Sequence, residues 1–383
     1  MKMNRLLFML ALAILSGCSA TRPLQRSKLV SVNHLVESGK YDEARMVVED
    51  LAGNEVSAGW PRTWYSRGLL ALTAYREGIE KNDRKKSELY PDQLYVAFES
   101  FEKARELDGQ GRLDKALAPR YALMANSFQL LGETRFKESK YGEALKAFEH
   151  AIRVGEQDFL DAGRDTNLVY NAALAAFEGR NWDKAILYLG ELHAREHSTN
   201  VAHLLHLAYL EKDDPRSAEK VLRQGIEAHK DHEDLVLLLA DLLLRQDQPG
   251  RAQEALDEAL RRDPDNVTYH NTKGLIFQKT GLFNDAILSY FHAVNIQPDK
   301  PVTYLNIATC YYNIGVEIEE VARTITNASV VQVEKAKSTA AFDSAVSWLD
   351  KAYELGTQDE ALMEEVRQLY RLLRVNDRVW NAD

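Results

Sequence analysis

Residues 267–300 read VTYHNTKGLIFQKTGLFNDAILSYFHAVNIQPDK. Small residues at Gly274, Ala286 and Ala293 alternate with large ones at Phe277 and Tyr290, at helical spacing. Two helices joined by residues 281–285 account for this pattern. Gly281 can take the positive φ that a tight turn needs. Gly274 and Ala286 let helix A and helix B of one pair approach closely, while Phe277 and Tyr290 fill the space between neighbouring pairs. Pro298 stops helix B, because it lacks an N–H and its ring clashes with the preceding turn.

The pattern returns at a fixed interval. Ala218, Ala252 and Ala286 are 34 residues apart, and units start at Thr199, Glu233, Val267 and Pro301. Pro264 and Pro298 hold the same place in their units. Upstream, Ala173, Ala185 and Leu189 mark one further unit, and Ala144, Phe148 and Ala151 another. Trp64 and Gly68 pair with Ala97, Phe101 and Ala104, and Ala44 with Val48 begins the series. Downstream, Tyr304, Ala308, Tyr311 and Gly315 open a unit that Ala345, Leu349 and Ala352 close. About eight stacked helix pairs follow, an all-α solenoid rather than a set of separate globular domains.

Counted from Val267, residues His270, Gly274, Phe277, Ala286, Tyr290, Ala293 and Pro298 stand at positions 4, 8, 11, 20, 24, 27 and 32. This resembles the tetratricopeptide repeat, with His270 in place of the usual tryptophan at position 4. The resemblance implies antiparallel helix pairs wound into a right-handed superhelix. It also implies a concave groove lined by helix A positions 2, 5, 6, 9, 12 and 13. Carried onto this chain, those positions give Asn167, Tyr170, Asn171 and Phe177, then Asn200 and His203. Further on they give Asn271, Gln278 and Lys279, then Asn306, Tyr312 and Asn313. Asparagine, glutamine and tyrosine suit recognition of an extended peptide. Asn171 and Asn306 match the asparagine of the family's carboxylate clamp, but its cationic partners are missing, which argues against capture of a C-terminal acid by that route.

The N-terminus has a different character. Lys2 and Arg5 precede an apolar run, Leu6 to Leu15, too short to span a bilayer, and Leu15-Ser16-Gly17-Cys18 follows. This resembles a bacterial lipoprotein signal, cleaved before Cys18, whose thiol then carries diacylglycerol. Several acyl chains on one residue anchor firmly. Ser19, rather than aspartate, after the lipidated residue favours the outer membrane, facing the periplasm. A tether ending at Ser27 reaches about 30 Å, so the solenoid is expected to work close to the membrane.

Two segments break the period. Between Gly315 and Ala345 there are 25 extra residues, read as helices A and B prolonged into a hairpin extending ~18 Å. Ile318, Val321, Ile325, Val331, Val333 and Ala336 are expected to zip its arms together. A second insertion, Glu80 to Leu94, includes the charge run 80–86, expected to be a solvated loop. Both sit at A-to-B turns and hence are expected on one edge, where insertions mark either an interaction face or tolerated loop growth. The expected organisation is a signal peptide (1–17), lipidated cysteine and tether (18–27), irregular repeats (28–198), regular repeats (199–300), a last repeat with the hairpin (301–356) and a capping helix (357–383).

Composition narrows the function. The formal charge is −10 for the whole chain, and −12 once Lys2 and Arg5 leave with the leader. No basic patch with interleaved aromatics is present, which argues against nucleic acid as a partner. Cys310 is the one unmodified cysteine after lipidation, so no intramolecular disulfide forms, and its place mid-helix suits packing. His193-Ala194-Arg195-Glu196-His197 matches H-x-x-E-H, which in zinc hydrolases supplies two ligands and a general base. Its register places it at the fraying end of a helix B, where histidines also suit the macrodipole. The expectation is a non-enzymatic scaffold without cofactor that binds protein or peptide partners at a bacterial membrane and aids assembly of an envelope complex. The alternatives are a zinc hydrolase and an accessory factor for cell-wall enzymes.

Overall fold

The computed structural model describes residues 24–160, 163–195, 198–229, 232–356 and 358–380. Among these the chain is helical, with no strand. It divides into two compact units, Met1–Arg195 and Glu196–Asp383. In the first, helices pair as α1 (24–37) with α2 (Tyr41–Gly53), α3 (Pro61–Glu80) with α5 (Gln93–Asp108), α6 (Asp114–Lys137) with α7 (Tyr141–Gly155), and α8 (Thr166–Glu178) with α9 (Trp182–His193). A one-turn helix, α4 (Arg84–Ser87), lies between α3 and α5. In the second unit, α10 (Thr199–Glu211) pairs with α11 (Pro215–Ala228), α12 (Glu233–Arg245) with α13 (Pro249–Arg262), α14 (Val267–Lys279) with α15 (Phe283–Ile296), and α16 (Pro301–Thr324) with α17 (Ala328–Leu355). Helix α18 (Glu360–Trp380) packs Leu362, Val366, Leu369 and Leu373 onto the last pair and so covers its apolar face. Helix α1 includes residues 24–27, where the sequence predicts tether; its Val32 and Val36 are buried, and Lys28 pairs with Asp50 of α2 at 2.7 Å. Cys18 and the rest of the leader lie outside the described residues.

In several pairs a glycine of helix A meets an aromatic ring of helix B. A β-carbon added at Gly68 would lie 2.7 Å from the Phe101 ring, at Gly132 2.6 Å from Phe148, and at Gly274 2.6 Å from Tyr290. No methyl fits at such distances, so each glycine lets a ring lie against the helix backbone. Tyr290 joins Ile307 and Cys310 of the next pair, as expected, and also fills its own unit, donating a hydrogen bond to Gln278 Oε1 at 2.9 Å.

The turns share one backbone signature. The residue two before helix B takes positive φ in Gly39, Ser139, Arg180, Asp213, Asp247 and Gly281, with φ between 54° and 76°. A left-handed residue there reverses the chain after helix A and satisfies the last helical carbonyls. In the α3 turn the left-handed residue is Asn82, one heptad later than the register requires, so the insertion first lengthens helix A by two turns. It then folds back onto α3. A β-carbon at Gly78 would overlap the Ser87 backbone nitrogen, and the buried Gln93 side chain accepts from Tyr90 N and donates to Ala71 O at 2.9 Å and Lys86 O at 3.1 Å. The charge run is largely exposed, but its backbone is anchored; Lys81 and Lys86 both reach Glu77, and Lys85 reaches Asp42. It is an ordered wall, not a loose loop.

The second insertion makes α16 and α17 an antiparallel hairpin, with Asn327 capping α17 through Ser329 N and Val330 N. Its seam differs from the expected one. Val321 is 56% exposed, Val333 is 54% exposed and Ala336 is also exposed, whereas Ile318, Ile325 and Val331 are half-buried. The buried residues are Gly315, Glu319 and Ala322 on α16, facing Ser338, Ala341 and Ala345 on α17. These continue the pairing of Ala308 with Leu349 in steps of seven, so Gly315 meets the Phe342 ring as Gly274 meets Tyr290. A 3.5-residue period keeps small residues on the seam, and the larger valines are carried off it.

Candidate functional site

Two surfaces can take a partner, one in each unit. In the second unit, helix A register positions turn Asn200, His203, Asn271, Asn306, Tyr312 and Asn313 toward one face of α10, α14 and α16, with Lys279 exposed at the end of α14. Not all of these side chains are equally free to receive a ligand. Asn271 Oδ1 accepts from Thr303 Oγ1 at 3.2 Å, tying α14 to α16, and Gln278 holds Tyr290. Tyr312 lies 5.8 Å from the Phe342 ring, centroid to centroid. The same register also carries half-buried Leu204, Leu207, Leu237 and Leu238, together with Leu275, which is 40% exposed. The register alone places these leucines on the same face as the amides. The surface is therefore a leucine band flanked by amides, able to bury apolar side chains while amides bond a backbone.

In the first unit, Asn167 is exposed on α8, Tyr170 and Asn171 are half-buried, and Phe177 stands edge-on to Trp182 at 5.3 Å. A larger feature lies elsewhere in this unit. The anchored insertion, with α2, α3, α5, α6 and α7, encloses a pocket of about 720 Å³ that includes Arg45, Tyr75, Tyr90, Tyr95, Arg135 and Lys146. A second pocket of about 470 Å³ adjoins it, sharing Tyr75, Ser87, Glu88, Leu131 and Arg135, and carries Ile79 and Leu130. Together they form one trough, apolar at one end and aromatic and cationic at the other. Burial pushes the Tyr75 phenol up, with Arg135 opposing; it pushes Tyr95 up to about 12, aided by the Asp92 and Glu143 carboxylates.

Other chemistry-bearing residues are inert or incomplete. Cys310 is fully buried, and burial pushes its thiol up to about 12, which keeps it protonated. His193 ends α9, while Glu196 and His197 of the H-x-x-E-H segment lie outside the described residues. Among the described residues no group of three or more His, Cys, Asp or Glu side chains is arranged to hold a metal ion. No described helix is long and apolar enough to cross a membrane. His206 is unusual. It occupies position 8, where Gly274 and Ala240 stand in other units, and is 3% exposed with Nδ1 unpartnered.

Family models agree with the helix pairing. Residues 130–201 and 209–276 match tetratricopeptide-repeat family models. The chain is 23% identical over 329 residues to the DnaJ homolog subfamily C member 7 homolog of Schizosaccharomyces pombe, covering 67% of this chain and 69% of that one. Among solved structures, a tetratricopeptide-repeat protein of Bacteroides fragilis is 18% identical with a TM-score of 0.36, over 65% of this chain and 98% of its own. YrrB, described as a tetratricopeptide-repeat protein with an unusual peptide-binding site, is 16% identical with a TM-score of 0.37, over 58% of this chain and 99% of its own. Repeats of this kind bind protein or peptide partners. The glycine-to-ring contacts, the shared left-handed turns and the two matched segments identify tetratricopeptide repeats in this chain, over residues 130–201 and 209–276.

Proposed function

We propose that this protein holds protein partners at a bacterial membrane, anchored through lipid on Cys18 and facing the periplasm, and so aids assembly of an envelope complex. The observation that carries the binding half is the leucine band between amides on the helix A face of α10, α12, α14 and α16. A rigid stack of helix pairs presents such a face without ordering cost on binding. The anchoring half is supported by the Leu15-Ser16-Gly17-Cys18 segment after a short apolar run. Catalysis plays no part in this reading.

Two measurements test it. Metabolic labelling with a tritiated fatty acid should mark the wild type and leave Cys18→Ser unlabelled and released from the membrane; equal labelling of both disproves the anchor. Partners cross-linked in intact cells and recovered from solubilised membranes should be retained by wild type and depleted at least tenfold by Leu238→Asp combined with Tyr312→Ala. Undiminished recovery with that double variant removes the groove model.

A further inference from the structure

We propose that the trough in the first unit binds an extended acidic peptide, taking a large apolar side chain at one end and aspartate or glutamate at the other. This rests on the reading of the protein as a partner-binding scaffold and adds a second, chemically distinct contact on it.

The charge pattern carries the acidic half. The pocket contains carboxylates as well as cations, but most of the carboxylates are already engaged. Glu143 is paired with Arg135 at 3.0 Å, and Glu88 with Arg84 at 2.8 Å. Arg135 also meets Glu138 at 2.8 Å. Arg45 and Lys146 differ. Neither forms an ion pair among the described residues; the Arg45 guanidinium lies 5.4 Å from the Tyr90 ring centroid and donates to Leu89 O at 2.6 Å, and Lys146 Nζ lies 4.1 Å from that of Tyr95. In the larger pocket Asp92 is the carboxylate left to oppose these two cations, and the adjoining pocket adds Arg76 and Glu80, one of each sign. On a chain of net charge −10, two cations without ion-pair partners facing one such carboxylate favour a negative ligand.

Shape carries the apolar half. Ile79 is 58% exposed and Leu130 54% exposed, and both line the adjoining pocket. Tyr75, Leu131 and Arg135 are common to both pockets, so one extended chain can reach both ends. The wall is built before any ligand arrives, by the backbone approach at Gly78 and the three hydrogen bonds of Gln93. A site preorganised in this way spends little binding energy on ordering.

The test uses three fluorescein-labelled twelve-residue peptides, repeats of Gly-Leu-Glu, Gly-Leu-Gln and Gly-Leu-Lys, titrated with the full chain in detergent micelles and read by anisotropy. The glutamate peptide should bind at least tenfold more tightly than the other two at low salt, and lose that advantage in half-molar sodium chloride. Arg45→Gln with Lys146→Gln should remove the preference, while Arg45→Lys with Lys146→Arg should keep it. Leu130→Gln should weaken the glutamate and glutamine peptides alike. Equal binding of the three peptides, or a glutamate preference that survives the charge-removing pair, overturns the inference. Any variant that lowers the thermal midpoint is judged against the charge-preserving pair, which leaves the fold constant. If cross-linked partners are recovered as expected while the glutamate peptide shows no preference, this site fails alone. If the preference holds while partner recovery ignores Leu238 and Tyr312, the second-unit groove fails instead.

Discussion

Acidification should unfold the second unit preferentially, through a single histidine. His206 sits on α10, 3% exposed, at the position where other units carry glycine or alanine. Its Nδ1 has no hydrogen-bond partner. Burial, then the neighbouring His203, lowers its pKa from 6.5 to about 4; Asp241 of α12 opposes and Arg245 of α12 adds to the fall. The folded chain thus binds this proton more weakly than the unfolded chain does. The stabilising contribution is present above pH 6.5, declines as pH drops, and is gone below about 4. Each unit of difference is worth ~1.4 kcal/mol, so the full loss is about 3 kcal/mol and the loss by pH 5 about 2. Against a typical domain stability of 5–15 kcal/mol, roughly, that is a large fraction. Hydrogen exchange of α10 and α12, corrected for intrinsic rates, should show protection falling by more than tenfold between pH 7 and 5 in wild type. His206→Ala restores the small residue of the other units and should remove most of that fall. Identical pH dependence in both proteins would refute the assignment, since every other titrating group is common to them.

Three further outcomes follow from the packing. Gly274→Ala should destabilise by ~1–3 kcal/mol in urea unfolding despite alanine's better helix propensity, because its methyl would stand 2.6 Å from the Tyr290 ring; Tyr290→Leu in the same chain should recover part of the loss. Glu319 is 4% exposed between the hairpin arms, and burial raises its pKa, so its folded form holds a proton more tightly than the unfolded form. The hairpin should therefore gain stability as pH falls and lose it as pH rises, opposite to His206, and Glu319→Gln should protect α16 and α17 from exchange at pH 7. Arg180 has φ 54° in its turn, where Gly281 stands at 76°. Arg180→Gly should raise the thermal midpoint, with ~0.5–1 kcal/mol remaining after the glycine's extra unfolded entropy, and an unchanged or lower midpoint counts against left-handed strain at that turn.

What the sequence disclosed and what it hid follow from how far each feature reaches along the chain. The 34-residue period is local. Ala252 and Ala286 occupy the same environment because each unit contacts its neighbours alone, so identity of spacing implies identity of surroundings. The unit boundaries, the turns and Gly274 were legible for that reason. Apolar size is a misleading signal for the hairpin seam. In a close antiparallel pair the backbone separation rewards small residues, so Gly315, Ala322 and Ser338 are buried while Val321 and Val333 are not. The trough was invisible for a different reason. Its lining comes from α2, α3, the insertion, α5, α6 and α7, and no short window contains enough of it to form a pattern.

The same locality explains why a site arose where the period fails. A regular repeat keeps position 8 small in most units and position 24 large, which leaves few residues free to vary without cost to packing. An insertion at an A-to-B turn escapes that constraint, since it adds backbone beyond the pair rather than between its helices. Adding a heptad to α3 keeps the Gly68–Phe101 contact intact and carries Tyr75, Arg76 and Ile79 beyond the packed core. The wall formed by residues 81–92 then needs its own anchors, and Gly78 and Gln93 supply them. Of the two outcomes open to inserted sequence, loop growth requires no such anchors. Their presence here favours a surface kept in one shape, as a binding site needs.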